Sequence, residues 1–443
     1  MSIAIHQRLR ALARLDFASY IRLSREHGDD SAAQTIDRFV AFARQCERSP
    51  VRMPWFDARA PRSVRDLRGR IAAASDQGAR RGLFAARLVL WPVVSLMLSL
   101  GLAARHRLFL RRESGRTAIG LVVQCLRANL ISNIAPSDFF SMRFYRCRSD
   151  AEVQAYMVSR DGYAMHAHLQ PRHDDIAKID DKVCFFEHCR ALGLPTPPII
   201  AAFNYKGTPF RWLATEALPP SDLFVKPIDR YGGAGAAVWT FDPDSSTWAS
   251  DGQRCDQQAF LAHHRDLEAI VQPRVRMHRD LQHLSPYGLS CLRAMTLRYR
   301  NGEIAFLGAL VKIAAGRYAV DNYWTGALIA PIDSDSGRIG PGVARDPLRG
   351  TFFVHPDTRG PIDGCVIPSW PEIPRLLARA HRSVPGLTSV GWDVAITDDG
   401  PSIVEGNVNW NVELLQVAAA RGLGAMAFDA WAMDVLEHAS VDL

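Results

Sequence analysis

The stretch that most constrains the fold of this chain is Gly391–Asn411, which reads GWDVAITDDGPSIVEGNVNWN. Two alternating runs, Trp392–Thr397 and Ser402–Asn407, flank the turn-forming Asp398-Asp399-Gly400. Alternating strands around such a turn predict a β-hairpin. A three-residue loop would give the cross-strand pairs Thr397–Pro401, Ala395–Ile403 and Asp393–Glu405.

The hairpin brings acidic side chains together. Side chains alternate along a strand, so Asn407 is predicted to share the face of Asp393 and Glu405. The opposite face is predicted to carry Trp392, Val394, Ile396 and Val404. Two adjacent carboxylates repel each other, and with an amide oxygen they form a hard-oxygen site suited to Mg²⁺. The alternative is a surface hairpin with solvated acids, and a phosphate held elsewhere in the chain would favour the metal site.

The lysines are the second informative feature. Of the 53 basic residues only five are lysine, namely Lys178, Lys182, Lys206, Lys226 and Lys312. A chain that otherwise uses arginine is expected to keep lysine where a compact point charge is needed, as at a phosphate.

A Gly-rich segment follows one of these lysines. Asp222–Pro227 predicts a short apolar strand that ends near Lys226, and Gly232, Gly233 and Gly235 come next. Glycines let the backbone approach a ligand and direct N–H groups at an anion. No GKS or GKT follows, which excludes a Walker A motif, and a lysine that precedes the loop excludes a Rossmann fingerprint. Many Gly-rich turns only reverse the chain, but strand, lysine and glycines in succession favour phosphate binding.

Two later strands carry embedded cations. Leu289–Tyr299 contains Arg293 and Arg298, and Ile304–Lys312 ends on a lysine. A buried arginine requires a paired anion. Each arginine is therefore either half of an internal ion pair or a ligand for phosphate or carboxylate.

The N-terminal region is basic. Residues 1–120 hold 22 arginines, no lysine and 10 acidic residues, a net charge of +12, against +7 for the whole chain. Leu88–Ala104 is uncharged, but it is shorter than a membrane span and is expected to be interrupted at Pro92, so a buried or interfacial helix is predicted. We expect at most reversible contact with an anionic membrane, which high salt should release. No nucleic-acid motif accompanies the basic residues, and no nucleic-acid partner is expected.

The cysteines and the N-terminus bear on location. Eight cysteines form no CxxC pair, which is typical of reduced thiols in a cytosolic protein. The first residues carry arginines where a signal peptide needs an apolar segment. A cytoplasmic protein, peripheral at most at the inner face of a membrane, is therefore expected.

Seven segments in this order resemble the ATP-grasp superfamily, most closely its sugar-transfer-associated branch. They are DKVCFFEHCRALGLPTPP, DLFVKPIDRYGGAGAAV, IVQPRV, LRAMTLRY, VDNYWTGALIAPID, HPDTRGPIDGCVIPSW and GWDVAITDDGPSIVEGN. The resemblance covers about residues 110–425. It implies an α+β fold in which two α+β subdomains clamp a nucleotide, preceded by a helical, Arg-rich region.

The implied domains are a basic helical region (1–115), a helical segment (116–178) and an ATP-grasp domain (179–443). Within the last, 179–275 would carry the Gly-rich lid and 276–443 the metal site. The cofactors implied are ATP and Mg²⁺, with Mn²⁺ as the alternative metal.

The resemblance also implies residue roles. Lys182 and Lys226 would contact the α- and β-phosphates, under a lid formed by Gly232, Gly233 and Gly235. The strand from Gln272 to Val275 would contact adenine through its backbone, although Gln272 replaces the acid of many relatives. Arg293 and Lys312 would face the γ-phosphate, with Arg298 as a further candidate because no arginine directly precedes Asp393. Asp393, Glu405 and Asn407 would hold one or two metal ions.

Members of the superfamily typically activate a carboxylate as an acyl phosphate, which an amine or another nucleophile captures with release of ADP. An ADP-forming carboxylate–amine ligase is therefore expected, and amino-acid or sugar-linked substrates follow only by association. A phosphotransferase on the same fold is one alternative. The other is a non-enzymatic partner of a membrane or scaffold, against which the intact Asp393, Glu405 and Asn407 argue.

Overall fold

The computed structural model describes residues 56–75, 81–170, 173–228, 235–286, 288–316 and 321–437. The chain divides into two compact units. One comprises the residues up to Met165 together with Arg421–Asp429, and the other comprises His166–Ala420 and Ala430–Leu443. The domain boundaries predicted after residues 115 and 178 stay predictions.

The first unit is helical where the structure describes it. Its helices are α1 (Arg62–Ser75), α2 (Arg81–Ser114), α3 (Ala118–Ser132), α4 (Pro136–Ser141), α5 (Asp150–Gln154) and the start of α6 (Ser159–Leu169). Side-chain caps fix two of the starts, because Thr117 accepts a hydrogen bond from the Gly120 amide and Ser149 accepts one from the Glu152 amide. Asn133 ends α3 in a left-handed conformation (φ 52°).

Helix α2 differs from its prediction. It continues through Pro92, and its only internal departure from helical angles is at His106 (φ −116°, ψ 17°). A proline removes one backbone hydrogen bond, and the surrounding turns of α2 maintain the helix despite that loss. The interruption expected at Pro92 is therefore wrong. Among the described residues, one helical segment, Leu88–Ser114, is both long enough and apolar enough to cross a membrane. Only 22% of its most apolar part is buried.

The second unit contains two seven-stranded antiparallel sheets. The first sheet has the strand order β2-β1-β7-β3-β4-β5-β6 and the second has the order β12-β11-β10-β9-β8-β13-β14. The strands of the first sheet are β1 (Ala201–Tyr205), β2 (Thr208–Trp212), β3 (Leu223–Pro227), β4 (Ala237–Asp242), β5 (Thr247–Ser250), β6 (Gln253–Cys255) and β7 (Ala269–Pro273). Those of the second sheet are β8 (Leu292–Arg298), β9 (Ile304–Ile313), β10 (Leu328–Ile332), β11 (Gly342–Ala344), β12 (Thr351–Phe352), β13 (Ser389–Thr397) and β14 (Gly400–Asn407).

Helices cover both sheets of this unit. They are α7 (Asp175–Asp180), α8 (Lys182–Ala191), α9 (Gln257–His264), α10 (Glu372–Arg382), α11 (Val412–Ala419) and α12 (Phe428–Leu436). In the second sheet, Trp392, Val394 and Ile396 are buried in one core with Leu377 of α10. Together, helices and sheets confirm the predicted α+β class. Strand β13 lies next to the edge of this sheet, with only β14 beyond it.

Candidate functional site

The hairpin has the predicted pairing at its acidic end. Asp393 lies opposite Glu405, and Gly391 lies opposite Asn407. The turn is tighter than predicted, because Thr397 pairs with Gly400 instead of Pro401. A β-bulge between Asp393 and Val394 adds one residue to β14 and restores the register.

The bulge corrects the assignment of side chains to faces. Ile403, predicted opposite Ala395 on the site face, pairs with Val394 and is buried in the core. Val404, predicted to point away from the site, is the extra residue of the bulge and lines the same cleft as Glu405. The predictions for Ile403 and Val404 were wrong because a bulge breaks the alternation on which they depended.

Asp393 is the centre of a buried charge cluster. It is 4% exposed, and Arg293 on the adjacent strand β8 donates to both of its oxygens, Nε to Oδ1 at 2.6 Å and Nη2 to Oδ2 at 3.0 Å. Lys312 at the end of β9 donates to Oδ2 at 3.2 Å. The structure therefore brings three predicted residues from three neighbouring strands into one network.

Asp321 belongs to this network and was not predicted from the sequence. Lys312 donates to its Oδ1 at 3.2 Å, and the Cys291 amide donates to its Oδ2 at 2.8 Å. A charged hydrogen bond of this kind fixes the lysine side chain. The available signal was an acidic residue in the polar loop after the strand that ends on Lys312.

The electrostatics of the cluster are asymmetric. Burial raises the pKa of Asp393, but the charges of Arg293 and Lys312 outweigh it and hold that pKa below its usual range. Burial lowers the pKa of Lys312, and the carboxylates of Asp321 and Asp393 more than reverse this effect. For Glu405, burial and the nearby Asp393 raise the pKa, which Lys226 and Lys312 oppose only in part. Glu405 is therefore the carboxylate that lacks a strong cationic partner.

The two predicted phosphate-binding lysines lie near this acid. Lys182 begins α8, where Asp181 caps the helix, and lines a cleft with Glu405 and Asn407. Its Nζ donates to the Ile228 carbonyl at 2.5 Å. Lys226 lies in β3 of the first sheet, and its charge acts on Glu405 of the second sheet. The cations and the acid thus converge from both sheets of the second unit.

A second, more apolar cleft adjoins Lys226. It is also lined by Phe224, Gln272, Val275 and Val404. The Gln272 amide donates to the Pro197 carbonyl at 3.2 Å, so this side chain is held by the protein. Strand β7 ends at Pro273, two residues before the predicted end of the strand at Val275. An apolar slot beside a lysine suits a flat heterocycle attached to phosphates.

Other predicted residues lie apart from the cluster or outside the described residues. Arg298 ends β8 five residues beyond Arg293, about 16 Å along the strand, and its carbonyl accepts from Trp431. Gly235 is exposed, with φ +78°, a conformation that favours glycine. Gly232 and Gly233 of the predicted lid fall outside the described residues. The structure therefore does not bring Arg298 to the charge cluster.

The donor set for a divalent cation is small. A carboxylate offers about four acceptor positions; Asp393 uses three for Arg293 and Lys312, and it also shares a hydrogen bond with Glu405. Asn407 donates through Nδ2 to the Gly391 carbonyl at 3.3 Å, which leaves Oδ1 as its ligand atom. Among the described residues, no group of three or more His, Cys, Asp or Glu side chains could hold a metal. A metal here would therefore depend on the amide of Asn407 and on oxygens of the bound ligand.

Comparison with protein-family models finds a match over most of the second unit. A family model described as sugar-transfer-associated ATP-grasp matches residues 167–429. A search of curated protein sequences finds no match to this chain.

Solved structures show similarity at low identity. A biotin carboxylase–β-γ-ATP complex from Campylobacter jejuni is 9% identical, with a TM-score of 0.35, over 60% of this chain and 48% of that one. D-alanine–D-alanine ligase from Bacillus anthracis complexed with ATP is 12% identical, with a TM-score of 0.32, over 60% and 67%. N5-carboxyaminoimidazole synthetase from Staphylococcus aureus complexed with ADP is 9% identical, with a TM-score of 0.34, over 64% and 58%. This chain thus spans about half the length of the biotin carboxylase.

Proposed function

This chain belongs to the sugar-transfer-associated ATP-grasp family, and from that premise we propose that it is an ATP- and Mg²⁺-dependent ligase. It would join a carboxylate to an amine or a related nucleophile and release ADP. The resemblance read from the sequence is confirmed by the family match. The reaction and its substrates are the proposal.

The observation that carries the proposal is the convergence of charges in the second unit. Lys182 and Lys226 lie beside Glu405, and Arg293 and Lys312 share Asp393. Phosphoryl transfer requires positioning and charge neutralisation more than covalent help from the protein. A site with four cations around three acids, Asp321, Asp393 and Glu405, supplies both.

Each residue then has a defined task. Lys182 and Lys226 would bind the phosphates of ATP, and the apolar cleft beside Gln272 and Val275 would hold adenine. Glu405, Asn407 and Asp393 would hold Mg²⁺, or Mn²⁺ in its place, which when bound would neutralise phosphate charge. Arg293 and Lys312 would stabilise charge on the transferred phosphoryl group.

The proposed reaction has two steps. An oxygen of the substrate carboxylate attacks the γ-phosphorus, the bond to the β-phosphate oxygen breaks, and ADP leaves. The amine then attacks the acyl carbon, inorganic phosphate leaves with the bonding electron pair, and the nitrogen loses a proton. Both steps occur where water would hydrolyse the acyl phosphate, so the clefts must exclude it.

Release of ADP and phosphate tests the proposal. Purified protein is incubated with ATP, Mg²⁺ and a panel of amino acids, sugar acids and amines. A ligase releases phosphate only when both a carboxylate and an amine are present. ADP without free phosphate would indicate the phosphotransferase alternative, and no ADP with any pair would favour a non-enzymatic partner protein.

Glu405→Gln is the matched variant for this assay. It preserves shape and removes one charge from the proposed metal site, so turnover should fall by about 10²-fold or more. The variant should fold as the wild type does. Near-normal turnover of the variant would contradict a metal-binding role and would indicate that the hairpin is only structural.

We also propose a cytoplasmic location. Among the described residues, seven cysteines are free thiols, and none forms a disulfide. Free thiols on this scale are typical of a reducing compartment. Fractionation of cells that express the tagged full-length chain would test this, and recovery from the periplasm or medium would contradict it.

A further inference from the structure

The outer face of α2 is apolar and exposed. We define it by Val89, Val93, Leu96, Met97 and Leu100, which are 72%, 53%, 42%, 43% and 50% exposed. Their spacing of three and four residues puts them on one side of the helix. Large aliphatic side chains in this number are seldom left in water on one helix face.

The inner face of α2 shows the opposite composition. Trp91, Ser95, Ser99 and Ala103 follow at intervals of four and are all buried. The hydroxyls of Ser95 and Ser99 have no hydrogen-bond partner among the described residues. Apart from Trp91, the buried residues of this stretch are small or weakly polar and the exposed ones are large and aliphatic, which is the arrangement of helices that pack in a lipid environment. A helix on a water-soluble surface has the reverse pattern.

The inner face of α2 packs against neighbouring elements of the first unit. The Trp91 indole donates to Asn129 Oδ1 of α3 at 2.7 Å and packs edge-on to Phe56. Helix α2 packs against α3 and α4 within the same unit. Exposed apolar side chains also occur beyond the outer face, at Leu108 of α2 and at Ile119 and Val123 of α3.

The charges beside this surface select the occupant. Arg105, Arg107, Arg111 and Arg112 are exposed on the C-terminal part of α2, and residues 1–120 carry a net charge of +12. Arginine near an apolar surface can extend its guanidinium to phosphate groups while its stem remains in the apolar layer. An anionic bilayer leaflet offers an apolar layer and a negative rim together.

We propose that the outer face of α2 docks on the surface of an anionic membrane, with its aliphatic side chains in the upper acyl layer and its arginines at the headgroups. The helix would lie in the plane of the membrane. Helix α3 packs along α2 and carries Arg127. The carboxylate of Asp150 pairs with Arg127 at 2.6 Å and with Arg59 at 3.0 Å. A crossing orientation would draw these ion pairs into hydrocarbon, at high cost.

This surface changes the expected response to salt. Salt screens the attraction between arginine and anionic lipid, but it does not weaken the insertion of aliphatic side chains. High salt should therefore reduce membrane attachment without abolishing it, in contrast to the complete release expected from the sequence alone.

Vesicle flotation of the purified full-length protein tests the proposal. The vesicles are phosphatidylcholine alone or phosphatidylcholine with phosphatidylglycerol. The test variant is Leu96→Glu/Leu100→Glu, and the matched control is Leu192→Glu/Leu267→Glu in the second unit, where both leucines are 48% exposed. Wild type and control should float with the anionic vesicles, and the bound fraction of the test variant should fall by about tenfold.

Arg111→Gln/Arg112→Gln should reduce binding to the anionic vesicles more than binding to the neutral vesicles. Thermal unfolding of each variant shows that it folds. Equal flotation of wild type and the Leu96/Leu100 variant would overturn the proposal. So would a lipid-independent dimer, seen by light scattering, that this variant dissociates, because a second copy would then be the occupant.

Discussion

At the scale of single residues, Asp393 organises the candidate site. Its two oxygens accept from Arg293 and Lys312, which links strands β8, β9 and β13 through one carboxylate. Leaving either cation buried without this carboxylate would be costly. Burial and the same carboxylate raise the pKa of Glu405, and a cation bound between the two acids would relieve their repulsion. One residue therefore serves both the stability of the sheet and the proposed chemistry.

Lys226→Arg tests the proposed phosphate contact. An arginine keeps the charge, but its planar head is wider than an ammonium and is expected to crowd Val404 and Gln272, which line the same cleft. ATP affinity or turnover should fall by about tenfold, equivalent to roughly 1.4 kcal/mol. The matched control is Lys206→Arg, because Lys206 is exposed and pairs with Asp181 at 3.1 Å. ATP titration curves of wild type and Lys226→Arg that superimpose would remove Lys226 from the site.

Asp321→Asn tests a residue that positions another. The substitution keeps an acceptor for the Cys291 amide but removes one of the two charges that hold Lys312. Turnover should fall by about tenfold with little change in the KM for ATP, since Lys312 is assigned to the transferred phosphoryl group. Asp333→Asn, at an exposed turn, is the control. A loss confined to thermal stability would make Asp321 purely structural.

The sequence carried much of the information at this scale. The pairing of Asp393 with Glu405 and the unusual use of lysine identified most residues of the cluster. Asp321 was missed because a loop residue has no periodicity that relates it to a strand partner. Arg298 was grouped with Arg293 because both lie on strand β8. The five residues from one to the other are enough to keep Arg298 away from the charge cluster.

At the scale of elements, the turn and the bulge of the β13–β14 hairpin compensate each other. The turn is one residue shorter than predicted, and the bulge at Val404 adds that residue back. Asp393 and Glu405 therefore meet as predicted for a reason that differs from the predicted one. Bulges have no reliable sequence signal, because the extra residue is accommodated by twist and packing.

Helix α10 contributes a pH-dependent contact to the second sheet. His381 is buried, with Thr296 at 2.8 Å from Nδ1 and the Leu387 carbonyl at 3.0 Å from Nε2. Burial lowers the pKa of His381 to about 4, against an ordinary value of 6.5. The unfolded chain therefore takes up this proton first as the pH falls. The stabilisation of the fold by the buried, neutral His381 is complete above pH 6.5 and is lost between pH 6.5 and about 4.

The expected loss of unfolding free energy over that range is about 3 kcal/mol for this histidine. His381→Gln can keep a donor for the Leu387 carbonyl and does not titrate, so its denaturant midpoint should depend less on pH than that of wild type. His166, whose burial also lowers its pKa to about 4, remains in both proteins and keeps part of the slope. His263→Asn, at an exposed position, is the control. Parallel pH profiles for wild type and His381→Gln would contradict the assignment.

Helix α2 shows where composition was a poor guide. Its apolar stretch was expected to be short and interrupted at Pro92, whereas the helix continues through Pro92 and is kinked at His106 within its 34 residues. A proline and a charged flank locate breaks only approximately, because neighbouring turns can retain a helix. Which face of an apolar helix is buried also depends on tertiary packing.

At the scale of the whole molecule, each unit has its own proposed role. The second unit would bind the nucleotide between its two sheets, and the first would dock on a membrane through the outer face of α2. The class of the second unit followed from the order of seven segments, whereas the boundary at Met165 did not follow from composition. Domain limits depend on which contacts form, and the helical sequence on both sides of that boundary looks alike.

The central claim is that ATP and a divalent cation bind together at Lys182, Lys226 and Glu405. Isothermal titration of the full-length protein with ATP, once in Mg²⁺ and once in EDTA, tests it most directly. Crowded phosphates and paired acids need a cation between them. The account predicts that ATP binds at least about tenfold more weakly in EDTA. Equal affinities in the two buffers, or no binding in Mg²⁺, would contradict it.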